Sequence, residues 1–102
     1  MRLEYAPEAL DDIQETKRYI ATVLKNRSAA NRITKMIVSN CRLLKEQPEI
    51  GMSVEARTGC SSDLRYLVCE SWLAFYRIQD DTVRVVRVID GRADYIRILF
   101  DN

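Results

Sequence analysis

Residues 64–89 read LRYLVCESWLAFYRIQDDTVRVVRVI, and the parsing of this stretch decides the fold. Three runs rich in β-branched and aromatic residues, 64–69, 72–79 and 82–89, are broken by the polar pairs Glu70-Ser71 and Asp80-Asp81. Runs of that length with such short breaks predict an antiparallel meander. In the first run Leu64, Tyr66 and Val68 share a face opposite Arg65, and in the second Trp72, Ala74, Tyr76 and Ile78 oppose Arg77. The third is apolar enough to be covered on both faces, which predicts a central strand.

Upstream the rhythm changes. RLEY (2–5) reads as a short strand, and Pro7 stands where a helix begins, because the first helical position needs no N–H. Leu10, Ile13, Ile20 and Leu24 recur at near-helical spacing, with acids Asp11, Asp12 and Glu15 early and bases Lys17, Arg18 and Lys25 late, as the helix dipole favours. Ser28 is the expected N-cap of a second helix. Its stripe of Ala30, Ile33, Ile37, Cys41 and Leu44, broadened by Met36 and Leu43, runs to Pro48. The segment EQPEIGMSVEARTGCSSD (46–63) reads as a loop.

The element order β-α-α-β-β-β with a short C-terminal segment predicts one α+β domain over residues 1–102. The helical hairpin is expected on one face of a mostly antiparallel sheet, with the first strand beside the last.

Composition narrows the chemistry. The chain has 102 residues, 47% hydrophobic and 30% charged, with a net charge of +1 and no histidine. Lacking histidine, it has no Ser-His or Cys-His nucleophile pair and lacks the commonest metal ligand. Cys41, Cys60 and Cys69 are odd in number and widely spaced, against a disulfide framework or zinc site; the expectation is no metal and no cofactor. No apolar run reaches the ~20 residues of a membrane span, and the N-terminus carries no secretory pattern, so a cytoplasmic protein is expected. Near-neutral charge argues against sequence-specific DNA binding by this chain alone. All four lysines precede residue 52, and the second half uses arginine alone, the residue suited to bidentate and stacking contacts with a partner.

The C-terminal stretch DGRADYIRILF (90–100) admits a strand, a helix or a working site built on Arg92, Asp94 and Tyr95. With the preceding strand ending at Ile89, a helical turn or irregular tail from Arg92 is expected, Leu99 and Phe100 folding back on the core.

The segments YAPEALDDIQETKRYI, LLKEQPEIG and residues 64–100 together resemble the RelE/ParE superfamily of bacterial type II toxin-antitoxin toxins. The likeness spans nearly the whole chain and is most specific at its end. There Gly91, Arg92, Asp94, Tyr95, Leu99 and Phe100 match a Gly-Arg-Arg-Asp-Tyr motif and Leu-Phe close, with Ala93 in place of the second Arg. Phe75, Tyr76 and Arg77 form an FYR commonly seen in such sequences.

The resemblance implies a toxin silenced by a cognate antitoxin, with DNA gyrase or the ribosome as target. A ribosome-dependent mRNA nuclease needs a base, a cation and an acid; its candidates here are Arg65, Tyr76, Arg92 and Tyr95. The middle-strand Arg of such nucleases falls at Leu73, which stabilises no phosphate charge. The ParE-like reading, a toxin that binds and blocks a protein, is therefore favoured. Its expected contact residues are Arg65, Tyr76, Arg84, Arg87, Arg92, Tyr95, Leu99 and Phe100.

Overall fold

The computed structural model describes residues 1–100. In chain order the elements are β1 (Arg2–Tyr5), α1 (Pro7–Thr22), α2 (Arg27–Arg42), β2 (Met52–Ser53), α3 (Val54–Thr58), β3 (Arg65–Cys69), β4 (Trp72–Gln79), β5 (Thr82–Asp90) and α4 (Tyr95–Phe100). A 3-10 turn at Leu43–Lys45 follows α2. The strands form one sheet in the order β1-β5-β4-β3-β2. This is the expected α+β architecture, with the meander and the β1–β5 neighbourhood as read from the sequence.

Pro7 opens α1 from an extended Ala6. The buried face of α1 is Ala9 and Ile20 with Ile13 half-buried, whereas Leu10 and Leu24 are exposed. The expected stripe was thus displaced by one position at Leu10: the helix lies on the sheet through small side chains, which let the backbones approach closely. The cap of α2 is Asn26, not Ser28. Its Oδ1 accepts from the Ala29 N–H at 2.9 Å, and Ser28 sits inside the first turn. Ala30, Ile33, Ile37, Cys41 and Leu44 are all buried, while Met36 is half-buried and Leu43 faces solvent.

The segment 46–63 is more ordered than a loop. Met52 and Ser53 pair with Tyr66 and Arg65 as an edge strand. The Ser53 Oγ then caps α3 by accepting from the Ala56 N–H at 3.1 Å, and Gly59 closes it with φ 80°, a left-handed conformation suited to glycine. Neither element completes a hydrophobic period, so periodicity had nothing to detect.

Strand β5 is interior, flanked by β1 and β4. Its pairing with β4 shifts register at Phe75/Tyr76: Phe75 faces Arg87 while Tyr76 faces Val85, leaving Val86 as the extra residue of a bulge. Val83, Val85 and Val88 therefore join the core under the hairpin, and Val86 and Ile89 join the core on the opposite face. That is why 82–89 is apolar on both sides. The first core holds Ile20, Ile33, Ile37, Leu44, Ala74 and Tyr76. The second holds Val54, Leu64, Tyr66 and Phe75 beneath Tyr95, Leu99 and Phe100. Each fully buried large side chain in these cores contributes about 1.5–3 kcal/mol. The C-terminal stretch, expected as a helical turn or irregular tail from Arg92, forms a helix only from Tyr95 to Phe100, and Leu99 and Phe100 do fold back on the core.

β1 runs parallel to β5, Leu3 opposite Val83 and Tyr5 opposite Val85, and the Ala6 N–H donates to the Val85 carbonyl at 2.8 Å.

Candidate functional site

Past Val85 the outer edge of β5 has no strand beside it, because β1 pairs with 82–85 alone. α1 crosses there and turns Asp12 toward the bare edge. Asp12 Oδ2 accepts from the Val88 N–H at 2.9 Å and from Arg87 Nε at 2.8 Å, and its Oδ1 accepts from Arg87 Nη2 at 2.9 Å. One carboxylate thus satisfies an edge amide and grips a guanidinium in bidentate fashion, a geometry stronger than a simple ion pair. The hydrogen bonds from Arg87 to Asp12 hold the guanidinium's pKa above its ordinary value, against the cost of partial burial.

Beside this clamp lies a groove of about 520 Å³ between α1, the start of α2, the β5 edge and α4. Ile20, Ile33, Trp72 and Val88 line it deeply. Tyr19, Leu24 and Ile98 form an apolar rim, exposed at 52%, 57% and 40%. Lone exposed apolar residues are ordinary, but three around one groove make it a candidate contact surface.

Arg92 stands at the end of the groove. It donates to Asp90 twice from its side chain, at 2.8 and 3.1 Å, and once from its backbone, at 2.9 Å. These bonds hold the Asp90 carboxyl below its ordinary 3.8. The Arg92 side chain is nevertheless 83% exposed and lines a second cleft as well, on the far face of the sheet, together with Tyr95. The Tyr95 ring packs on Phe75 with centroids 5.6 Å apart.

The expected nuclease residues do not meet as one set. Tyr76 is fully buried in the hairpin core, its hydroxyl donating to the Pro48 carbonyl at 2.7 Å and accepting from the Gly51 N–H at 2.9 Å. Burial raises its pKa, opposite to what a general base requires. Arg65 lies across the ladder from Tyr76 and serves the same turn, donating to the carbonyls of Gly51 at 2.9 Å and Glu49 at 3.4 Å. Arg65 and Tyr76 are brought together as a clamp on 48–51. Arg92 and Tyr95 share the cleft on the other face of the sheet. As a 0%-exposed residue Tyr76 offers no contact surface to a partner either.

Of the other expected contact residues, Arg84 pairs with Glu4 of β1 at 2.9 Å, and Arg87 is taken by Asp12. Leu99 and Phe100 pack inward against the second core. Asp12, Tyr19, Trp72 and Ile98 line the groove and were not picked out as site residues from the sequence. Asp12 was legible as an acid early in a helix, but its partner lies 75 residues away. Among the described residues no cluster of three or more His, Cys, Asp or Glu side chains could hold a metal ion, and no helix is long and apolar enough to cross a membrane.

A family model described as the ParE toxin of the type II toxin-antitoxin system, parDE, matches residues 3–95. Among solved structures the chain is similar to one described as the chromosomal ParDE TA system from P. aeruginosa. The TM-score is 0.75 at 18% identity, over 88% of this chain and 95% of that one. At that identity the likeness concerns the fold. No curated protein matches the chain.

Proposed function

This chain belongs to the ParE toxin family of type II toxin-antitoxin systems, and from that premise we propose how it is silenced and how it acts. A cognate antitoxin seats in the groove between the hairpin and the β5 edge. When released, the toxin arrests growth by binding a protein target, DNA gyrase, and not by cutting RNA.

The observation that carries the target reading is the position of the Tyr76 hydroxyl. It is buried, doubly hydrogen-bonded to the 48–51 turn and raised in pKa, so it serves structure and supplies no base. Arg92, the C-terminal cation, is already bound to Asp90. A protein-binding toxin needs neither group for chemistry and uses arginine and aromatic side chains as anchors.

The groove supports a helical antitoxin segment. Asp12 already occupies the Val88 N–H, which obstructs strand addition at that edge, while the apolar floor suits residues spaced three and four apart on an amphipathic helix.

Purified toxin is expected to inhibit gyrase supercoiling and trap cleavage complexes while leaving mRNA intact in a reconstituted translation reaction. Cleavage of mRNA in ribosomal A sites would overturn the target reading. For the groove, Leu24→Glu removes an exposed apolar anchor worth about 1.5–3 kcal/mol when covered, so affinity for the antitoxin is expected to fall by roughly 10- to 100-fold. Unchanged affinity would move the antitoxin elsewhere.

A further inference from the structure

We propose that the sheet face opposite the hairpin carries a second protein-binding surface, through which the toxin grips an acidic, apolar segment of its target. The inference rests on the reading of this chain as a protein-binding toxin and adds where the contact is made.

The surface is a cleft of about 450 Å³ between β2, β3, α3 and the start of α4. Met52, Val68, Leu73 and Tyr95 give it an apolar floor. Val68 lies within a strand yet is 48% exposed, and Met52, on the neighbouring strand opposite Tyr66, is 54% exposed. Elsewhere on this face α3 and α4 cover the apolar side chains. Here the cover stops, leaving a half-built hydrophobic site.

Charge selects the occupant. Arg57 and Arg92 stand at the cleft. Arg57 is exposed and has no carboxylate partner among the described residues. The acid at the cleft, Glu70, is paired with Arg32 at 2.9 Å. An unneutralised guanidinium beside an apolar floor is complementary to a segment that carries a carboxylate among apolar side chains. A nucleic-acid backbone would leave that floor uncovered.

Among the described residues, Arg92 alone lines both this cleft and the antitoxin groove. A carboxylate delivered by the antitoxin from the groove side would draw Arg92 away from the target cleft. Silencing then needs no direct coverage of the cleft.

The test uses full-length toxin carrying Arg57→Glu or Val68→Asp, both at exposed positions, with circular dichroism melting to verify the fold. Growth arrest on induction and affinity for the antitoxin are measured for each. Folded variants are expected to lose at least about tenfold in growth-arrest potency, as for an interface hot spot, with antitoxin affinity within about threefold of wild type. Undiminished arrest by both folded variants overturns the proposal. So does a parallel loss of antitoxin affinity, which would make the cleft an antitoxin site, or a loss traced to RNA cleavage. If wild-type toxin arrests growth without inhibiting gyrase and both variants lose arrest, the surface stands and gyrase falls as the target.

Discussion

Replacing Tyr76 with Phe isolates the hydroxyl on which the division between clamp and catalyst depends. The ring remains in a core position with no solvent exposure, so packing is retained and the loss is confined to two hydrogen bonds. The Gly51 N–H, in a buried residue, is left without its partner and costs about 1–3 kcal/mol. The Pro48 carbonyl, in a half-buried residue, recovers part of its loss from water and costs about 0.5–1 kcal/mol. The sum is about 1.5–4 kcal/mol, which for a domain of this size lowers the Tm by roughly 6–30 °C. Thermal unfolding by calorimetry reads this directly. Because Arg65 braces the same turn through Gly51 and Glu49, Arg65→Ala and Tyr76→Phe should combine non-additively by about 0.5 kcal/mol or more. Toxicity, measured well below the Tm, should persist. A variant of unchanged Tm that has lost toxicity would refute the reasoning, because the hydroxyl would then be doing chemistry and not holding the turn.

Asp12→Ala strips the bare β5 edge of its acceptor and leaves Arg87 unpaired; with both side chains partly screened by solvent, about 2 kcal/mol of stability should be lost, seen as a lower urea midpoint at unchanged slope. Gly51→Ala should destabilise strongly, since an added Cβ would stand 2.7 Å from Tyr76 Cε1 and 2.8 Å from the Tyr66 carbonyl oxygen; a thermal melt matching wild type would discount the close approach. Cys41 is buried with its thiol pushed up to about 12 by that burial, with Cys69 adding to it, and Cys69 is also buried and raised. A thiol-reactive dye should therefore label Cys60 alone in the native protein and all three cysteines in denaturant. The Asp90 carboxyl, held below 3.8 by Arg92, binds its proton less readily folded than unfolded, so its contribution is present above about pH 4 and fades as pH falls through the lower folded value. Carbon NMR of the Asp90 carboxyl should show a midpoint below 3.8, returning toward it in Arg92→Ala.

Which parts of this architecture could be read from residue order follows from the range of the forces involved. The meander was legible because alternation and turn pairs are local, and the left-handed φ of 54° at Glu70 and 55° at Asp80 lies where the polar breaks placed the turns. The α2 stripe was legible because five residues repeat on one face. Leu10 and Leu24 misled because size is not burial: Ala9 took the contact, and its fit depends on how close the sheet lies. The cap moved from Ser28 to Asn26 because both residue types suit the role and chain geometry chose between them. Arg92 and Tyr95 were legible as a motif, but their pairing with Asp90 and Phe75 decided what they do. The groove was hidden altogether, since its walls come from residues 12 to 98 and no window of sequence contains them.

The parallel pairing of Arg2–Tyr5 with Thr82–Val85 sets a schedule for the cell. Once made, β1 must wait for a partner 80 residues downstream. At about 5–20 residues per second, that delay is roughly 4–16 s. Through this interval β1 has no ladder, β5 does not yet exist, and neither the groove nor the far cleft can assemble. A chain that stops before residue 82 has no β5 and cannot close this sheet.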